Sequence, residues 1–152
     1  MIGTMERTDQ LILALLARDG RMSFTDIGKA TGLSTSAAQQ RVRRLEQRGV
    51  IAGYHAELSA AALGRTLTAI ISVRALNATY DDDIPGVLAS FPEITSCFSV
   101  AGDASFVCVA QVASTSELDA LLTAARHQAA VSTSTTVALT THFRDRPLVD
   151  AP

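Results

Sequence analysis

Apolar residues recur at helical spacing in the first third of the chain, and residue types typical of helix ends divide this stretch into three short helices. The first has its apolar positions at Leu11, Ile12, Leu15 and Leu16 and is expected to end at Gly20. A second helix is predicted after Ser23, because Ser23-Phe24-Thr25-Asp26 resembles a capping box with Asp in the last position. Its inward residues would be Ile27 and Ala30.

The third predicted helix begins after a tight turn and ends at a glycine. Gly32 can adopt the positive φ of the turn, Ser34 is a good N-cap, and Gly49 follows the last helical residue. Ala38, Val42 and Leu45 form a narrow apolar seam along this helix. A helix, a short helix, a glycine turn and a capped basic helix follow one another in the order of a helix-turn-helix. Gly28, five positions into the helix pair, lets the two helices cross closely.

The remaining surface of the third helix carries hydroxyl, amide and guanidinium groups. Such groups hold phosphates and read base edges, although a basic helix face is often only a solvated surface. We predict that double-stranded DNA is bound by Ser34, Thr35, Ser36, Gln39, Gln40, Arg41, Arg43, Arg44 and Arg48.

The rest of the chain changes from helical to alternating periodicity. Residues 50–65 are predicted to be a linker, with a short strand over 50–58 and a helical turn ending at Gly64. Beyond it the pattern predicts strands at 66–74, 94–101, 105–113 and 133–143. Helices are predicted after the Asp81-Asp82-Asp83 triplet and after a capping box at Ser114 to Glu117.

The order β-α-β-β-α-β predicts a ferredoxin-like half, so the fold class is α+β. We expect three parts: a helix-turn-helix domain at 1–49, the linker at 50–65, and a ferredoxin-like domain at 66–152. Such a sheet has helices on one face only. Because both faces carry apolar residues here, we predict that a partner covers the other face.

Charge is unevenly divided along the chain. The net charge is −2, but residues 1–54 hold eight basic and five acidic side chains, whereas residues 55–152 hold five basic and ten acidic ones. A basic segment at 1–54 followed by an acidic one at 55–152 indicates that only the first segment binds a polyanionic partner. With no export signal, no apolar run of membrane length and only two cysteines, we expect a cytoplasmic, nucleoid-associated protein.

Several groups of residues that could bind a metal or a cofactor, or act in catalysis, lack the spacing that such a site requires. The three histidines lie on three separate predicted elements, consecutive aspartates at 81–83 point in different directions, and no hydrolase, phosphate-loop or dinucleotide motif occurs. We therefore predict no catalytic residue, metal or cofactor, and no enzyme activity. Cys97 and Cys108 would face each other across a hairpin, and buried thiols are favoured over a redox pair.

The chain resembles the Lrp/AsnC (feast/famine) family of transcriptional regulators over residues 5–146. Ser34 to Gly49, with its Arg41-Val42-Arg43-Arg44-Leu45-Glu46 core, is similar to the recognition helix of that family, and Gly49-Val50-Ile51-Ala52-Gly53-Tyr54 to the segment that follows it. Val100-Ala101-Gly102-Asp103 resembles the effector loop, and Thr133-Ser134-Thr135 the start of the last strand. The loop and the Phe143-Arg144-Asp145-Arg146 ending look closest to actinobacterial members.

The resemblance implies operator binding by the helical head, dimers that assemble into octamers, and a small effector, commonly an amino acid. It places the effector site at Val100, Ala101, Gly102, Asp103, Ala104, Ser105, Thr133 and Thr135. The family motif reads glycine, any residue, aromatic, aspartate, whereas this chain has Gly102-Asp103-Ala104-Ser105. Backbone N–H groups, Asp103 and the hydroxyls can bind an amino acid, but a plain hairpin turn with β-forming threonines also fits these residues.

Two other functions remain open at this point. A DNA-binding protein with an architectural role would need no ligand. A small-molecule sensor or enzyme on the ferredoxin-like half would use the helical head only for assembly.

Overall fold

A computed structural model describes residues 5–76 and 83–149. Three helices come first: α1 (Arg7–Arg18), α2 (Phe24–Thr31) and α3 (Thr35–Gln47). The second half runs β1 (Leu67–Ala75), α4 (Ile84–Ala89), β2 (Ile94–Ser99), β3 (Phe106–Val112), α5 (Thr115–Gln128) and β4 (Val131–Ala138). No helix in these two described ranges is long and apolar enough to cross a membrane.

The chain divides into two compact units. One consists of Met1–Glu57 with Phe143–Pro152, and the other is Leu58–His142. Each unit has its own apolar core: α1, α2 and α3 enclose Ile12, Ile27 and the α3 seam, while the second core lies between the sheet and its helices.

Side-chain caps set the helix boundaries of the first unit. Ser23 Oγ accepts from Asp26 N and donates to the Asp26 carboxylate, and Ser34 Oγ accepts from Ala37 N, as predicted for both caps. Gly32 takes φ 72° at the end of α2. A Cβ on Gly28 would lie 2.7 Å from the Leu33 carbonyl oxygen. The glycine therefore allows a close approach, but to the turn before α3.

Three local predictions in the first half are wrong. Helix α1 ends at Arg18 with Asp19 as an extended C-cap, so Gly20 does not cap it. Ala30 is exposed because it lies on the solvent side of α2. Residues 50–58 form no strand, since none of their backbone groups pairs with a strand among the described residues. The helical turn that follows does end at Gly64, where Arg65 N donates to Ala60 O.

The second unit is a four-stranded antiparallel sheet in the order β2-β3-β1-β4, which is the ferredoxin-like arrangement predicted from the sequence. Its core face carries Ala69, Ile71 and Val73 of the central strand, which are buried against α4 and α5 with their neighbours on β3. Ser114 caps α5 by accepting from Glu117 N. Pro85 occupies the first turn of α4, also as predicted.

The opposite face of the sheet has no helix of the described chain against it, and we call it the open face. Antiparallel partners point to the same side, so the pairing Phe98–Val107–Ser72–Ser134 forms one row across it, and Val109–Ile70–Thr136 forms the next. Phe98 and Ile70 are exposed, and Val107 and Val109 are partly exposed. The sheet therefore carries apolar groups on both faces, as the sequence predicted.

The outer strands differ most from prediction. Strand β4 starts at Val131 and ends at Ala138, earlier at both ends than the predicted 133–143, because its pairing with β1 runs from Ala75–Val131 to Thr68–Ala138. The tight α5–β4 connection is made by Ala130, which has φ 51°. Strand β2 ends at Ser99, and its pairing with β3 shifts register between Ile94 and Ser96, which marks a bulge.

The two cysteines are directly opposite each other on β2 and β3, as predicted, and both are free thiols. Cys108 is buried in the core, where desolvation and the neighbouring Cys97 raise the pKa of its thiol to about 12. Cys97 lies at the exposed edge, so the prediction of two buried thiols is wrong for Cys97. Of the acidic triplet, Asp81 and Asp82 lie outside the described residues, and Asp83 is the α4 N-cap position without a side-chain cap bond.

Candidate nucleic-acid interface and ligand clefts

Helix α3 presents one polar face to solvent. Its seam of Ala38, Val42 and Leu45 is almost fully buried against α1 and α2, so at about 100° per residue the opposite side of the helix is free. The exposed predicted residues are Ser34, Thr35, Ser36, Gln40, Arg43, Arg44 and Arg48, and Gln39 is partly exposed. The structure therefore brings most of the predicted DNA-binding set onto one accessible surface.

Three hydroxyls at the start of α3 already have intramolecular partners. Ser34 Oγ caps the helix and lies 3.1 Å from Ser36 Oγ. Thr35 Oγ1 donates to Thr25 Oγ1 on α2 over 3.4 Å. The bond between the two threonines connects the N-terminal turn of α3 to α2.

Arg41 is separated from the other arginines by its contacts. Its Nη1 donates to Asp9 Oδ1 at 2.8 Å and to Glu6 Oε2 at 2.7 Å. The Asp9 side chain is 4% exposed and that of Arg41 is 25% exposed, whereas Glu6 remains largely in solvent. The hydrogen bond that Arg41 donates to Asp9, and then the one that it donates to Glu6, raise the pKa of Arg41 above its usual value.

Sequence reasoning did not foresee this ion pair. From the sequence, Arg41 was grouped with Arg43, Arg44 and Arg48 as a DNA-binding residue, and no partner was assigned to Asp9. Asp9 lies in the first turn of the amphipathic helix α1 and is buried. A buried carboxylate needs a cation nearby, and this requirement was the signal that could have pointed to an ion pair. Arg41 lies beside the seam on the α3 helical wheel, which places it next to α1.

Gln47 was not among the DNA-binding residues predicted from the sequence. It is exposed and lies near the middle of the free face of α3, in line with Gln40 and Arg43. A shallow cleft of about 380 Å³ lies on the flank of the same helix and is lined by Ala37, Gln40, Arg41 and Arg44. The small side chain of Ala37 leaves this space open between longer neighbours.

The segment after α3 is attached to the helix by a tyrosine. Tyr54 Oη donates to Glu46 Oε1 at 3.0 Å, and its ring lies where a Cβ on Gly20 would be in ordinary contact. Desolvation and then the bond to Glu46 raise the pKa of Tyr54 to about 12. The only carboxylate on α3 is thereby engaged on the side of the following segment.

The loop between β2 and β3 contains most of the second predicted site. Val100 N donates to Ser105 O, Ser105 N donates to Val73 O at 2.9 Å, and Ala75 N donates to Ser105 Oγ. The loop is therefore fixed against the end of β1, and the exposed residues Ala101, Gly102 and Asp103 are at its tip. Gly102 has φ 151°, which side chains rarely allow.

One cleft beside this loop lies toward α4. It has a volume of about 480 Å³ and is lined by Pro85, Ser99, Val100, Gly102, Ala104, Ser105 and Phe106. Four of the predicted effector residues thus share a single cavity. Asp103 lines a different cleft, together with Ala104 and Thr133.

Thr133 and Thr135 are on β4 and face the core side of the sheet, opposite Val73 and Ile71. Among the side chains that the structure describes, the two Oγ1 atoms are buried without a hydrogen-bond partner. A buried hydroxyl without a partner is costly, so most such groups in proteins are paired or contact a ligand. Neither hydroxyl is committed to another group of the described structure, and the part of the two threonines in effector binding stays a prediction.

Two family models match the two halves of the chain. An AsnC-type helix-turn-helix domain matches residues 5–46, and an Lrp/AsnC ligand binding domain matches residues 68–148. Together they cover all nine helices and strands described above except the last residue of α3 and the first residue of β1.

Individual relatives extend over nearly the whole length. The transcriptional regulator LrpA of Mycobacterium tuberculosis is 40% identical over 142 residues, which is 93% of this chain and 95% of the relative. A crystal structure of M. tuberculosis LrpA has a TM-score of 0.82 at 39% identity, covering 96% of this chain and all of that one. A feast or famine regulatory protein from M. tuberculosis complexed with L-methionine has a TM-score of 0.91 at 39% identity, covering 97% and 100%.

Proposed function

The chain belongs to the Lrp/AsnC family of DNA-binding transcriptional regulators, and from this premise we propose which of its residues contact DNA and the effector. The observation that carries the DNA assignment is the free polar face of α3. Its phosphate-contacting residues are Arg43, Arg44 and Arg48, because their side chains are exposed and bear the positive charge of that face.

The base-edge contacts in this proposal come from the middle of the same face. Gln40 and Gln47 can each form paired hydrogen bonds with adenine, and Ser36 and Gln39 complete the surface. Ser34 caps α3, and Thr35 connects α3 to α2. Arg41 acts indirectly, by fixing α3 on α1 through Asp9.

Removal of two charges from α3 tests the DNA assignment. Arg43→Ala with Arg44→Ala should weaken binding to DNA from upstream of the gene and reduce the slope of log K against log salt by about two, since each phosphate contact contributes about 0.9. The measurement is a gel shift or fluorescence titration at several salt concentrations.

The matched control removes the same charge outside α3. Arg18→Ala with Arg21→Ala should leave the salt slope at the wild-type value. An unchanged slope in the α3 double variant would contradict the assignment, and no binding by the wild type even at low salt would favour the sensor or enzyme alternative.

We propose that the effector is a free amino acid bound at the β2–β3 loop. The support is the cleft lined by Val100, Gly102, Ala104 and Ser105, the neighbouring cleft lined by Asp103, Ala104 and Thr133, and the two unpartnered threonine hydroxyls. Relatives at similar identity include the complex with L-methionine, and a Haemophilus influenzae relative, 32% identical over 120 residues, is named a leucine-responsive regulatory protein.

A thermal-shift panel of the twenty amino acids tests this part. An amino acid that binds only the folded protein raises its melting temperature, by an amount that grows with concentration. If none of the twenty shifts the transition while DNA binding is intact, the ligand-independent architectural function is favoured instead.

We also propose how copies of the chain assemble and where the protein is located. The open face, with Ile70, Phe98, Val107 and Val109, fits a second copy of the chain, and dimers of this kind can assemble further to octamers. We assign no catalytic residue, metal or cofactor, and we place the protein with DNA in the cytoplasm.

A further inference from the structure

Cys97 and Cys108 are the only two cysteines of the chain, and they lie directly opposite each other on β2 and β3. Cys108 is fully buried in the core of the second unit, whereas Cys97 is exposed on an outer strand. Both are on the core face of the sheet, since Cys108 pairs in turn with the buried Ile71 of β1. A second copy packed on the open face would therefore leave Cys97 accessible to solvent.

The backbone hydrogen bonds make these two residues a close pair of the ladder. Ser105 O and Gln111 N both bond to the residues that flank β2. Because alternate residues of a strand direct their backbone groups to opposite sides, Cys108, three positions from each, directs its groups toward β1. Cys97 and Cys108 thus form a non-hydrogen-bonded pair, in which Cα atoms are typically about 4.5 Å apart.

Such a pair is where a disulfide can join two antiparallel strands. The bond requires Cα atoms about 4.4–6.8 Å apart and Cβ atoms about 3.5–4.5 Å apart. Side chains of opposite residues approach each other most closely in non-hydrogen-bonded pairs. Desolvation and then a hydrogen bond with Cys97 raise the pKa of Cys108 to about 12, so the two thiols are in contact.

We propose that Cys97 and Cys108 form a reversible disulfide in response to hydrogen peroxide, and that this bond holds β2 on the sheet. The Cys97 thiolate attacks one peroxide oxygen, which breaks the O–O bond and leaves a sulfenic acid and hydroxide. The hydroxide takes up the proton that Cys97 released. The Cys108 sulfur then attacks the Cys97 sulfur, the S–OH bond breaks, and the hydroxyl group leaves with the Cys108 proton as water. Two thiols are oxidised to one disulfide while one peroxide is reduced to two waters, and a dithiol reverses the reaction by exchange.

Burial decides the order of these two steps. Peroxide does not reach Cys108, which has no exposed surface and whose raised pKa keeps it protonated. Cys97 is exposed, so it reacts first and Cys108 resolves the sulfenic acid.

The strand that the bond would hold has a single neighbour. Strand β2 pairs with β3 alone, and a bulge between Ile94 and Ser96 interrupts that pairing. A disulfide from Cys97 to Cys108 closes the chain into a short loop, which restricts the unfolded state and stabilises the fold. This effect is independent of the proposed DNA and amino-acid contacts.

The test treats the reduced full-length protein with a small excess of hydrogen peroxide. Free thiols are then alkylated under denaturing conditions and counted by mass spectrometry. We expect wild type to lose both alkylation sites and two hydrogen atoms of mass, and to remain a single chain on a non-reducing gel. Cleavage at aspartate separates the two cysteines, because Asp103 lies between them, so the linked peptides identify the bond. Dithiothreitol should restore both thiols.

A matched control moves the exposed thiol by two positions. Cys97→Ser with Ser99→Cys keeps an exposed thiol on the same face of β2, but opposite Phe106. Diagonal neighbours of this kind are about 7–8 Å apart, which is too far for a disulfide. After peroxide treatment this variant should retain the free thiol of Cys108.

The melting temperature reports whether the bond holds β2. Oxidation should raise it by roughly 10 °C in wild type, and dithiothreitol should reverse the rise. Cys97→Ser, which removes only an exposed thiol and leaves the core intact, should show no response to peroxide.

Four results would overturn the proposal. Wild type could keep both thiols, oxidise Cys97 while Cys108 stays free, or form the disulfide between two chains, and in each case the pair does not bridge. A disulfide within one chain that leaves the melting temperature unchanged would show that the bond does not hold β2.

Discussion

At the scale of single residues, the structure separates side chains that look equivalent in the sequence. Arg41, Arg43 and Arg44 lie within four positions of one another, yet only Arg41 reaches a buried carboxylate. Because 100° of rotation separates successive residues on a helix, neighbours in sequence face different environments. The contact with Asp9 gives α1 a direct part in holding the DNA-binding helix.

Asp9→Asn should lower the free energy of unfolding by about 2–3 kcal/mol, because it removes one member of a mostly buried ion pair and leaves the other without its main partner. Chemical denaturation measures this change. Glu6→Gln is the matched control, since Glu6 contacts the same guanidinium from solvent and should cost less than about 1 kcal/mol. Equal losses in the two variants would show that burial of Asp9 is not the cause.

The raised pKa of Tyr54, about 12, gives a pH dependence with a definite sign. The folded state favours the protonated phenol, so this group stabilises the fold below pH 10 and loses that contribution as the pH rises from 10 toward 12. A tyrosinate absorbance titration should show a late-ionising step that is absent in Tyr54→Phe. Glu46→Gln should move the step to lower pH, and a step that does not move would exclude the hydrogen bond as a cause.

At the scale of elements, local signals predicted most helices and strands because they depend on neighbours in sequence. The caps at Ser23, Ser34 and Ser114 fixed three helix starts, and the alternation in β1 fixed its buried face. Strand ends depend on the partner strand, so β4 was predicted too late at both ends. The missing strand at 50–58 has the same cause, since a strand exists only where another pairs with it.

The candidate sites were predicted to a similar extent. Helical periodicity alone was enough to separate the buried seam of α3 from its polar face. The contact between Arg41 and Asp9 joins two different helices across 32 positions of sequence. Such pairs leave no periodic signal, so a single sequence did not reveal them.

The threonines of β4 lead to a prediction about stability and binding together. Thr133→Val and Thr135→Val replace buried hydroxyls without partners in the described structure by methyl groups, so each should stabilise the ligand-free protein, by about 1 kcal/mol. The same variants should weaken any amino-acid response. Thr141→Val, at an exposed position after β4, should change neither property. Thermal melts with and without the amino acid test both effects, and destabilisation by both core-side variants would contradict the argument.

At the scale of the whole molecule, charge and apolar surface are divided between different parts of the chain. The basic side chains concentrate in the segment that contains α3, and the acidic ones in the remainder. The open face of the sheet carries exposed apolar side chains, among them Ile70 and Phe98. The proposals therefore give DNA binding and self-association separate surfaces, so that assembly can alter DNA binding without blocking it.

Ile70→Lys should disrupt self-association, because it puts a charge at the centre of the open face where a second copy is proposed to pack. Light scattering after size-exclusion chromatography should then give the mass of one chain, 16.0 kDa, against a multiple of it for wild type. Gln128→Lys adds the same charge at the exposed end of α5 and should leave the mass unchanged. A wild-type mass of one chain, or an unchanged mass for Ile70→Lys, would show that the open face is not the interface.

The bulge at Ile94 and Ser96 has a consequence for how copies can join. A bulge bends its strand and interrupts the regular ladder, so the outer edge of β2 is a poor template for another strand. Pairing of the β2 edge of one copy with the β4 edge of the next would extend head to tail and generate open-ended filaments. With that route hindered, the proposed contact between two open faces, which pairs a surface with itself, closes after two copies.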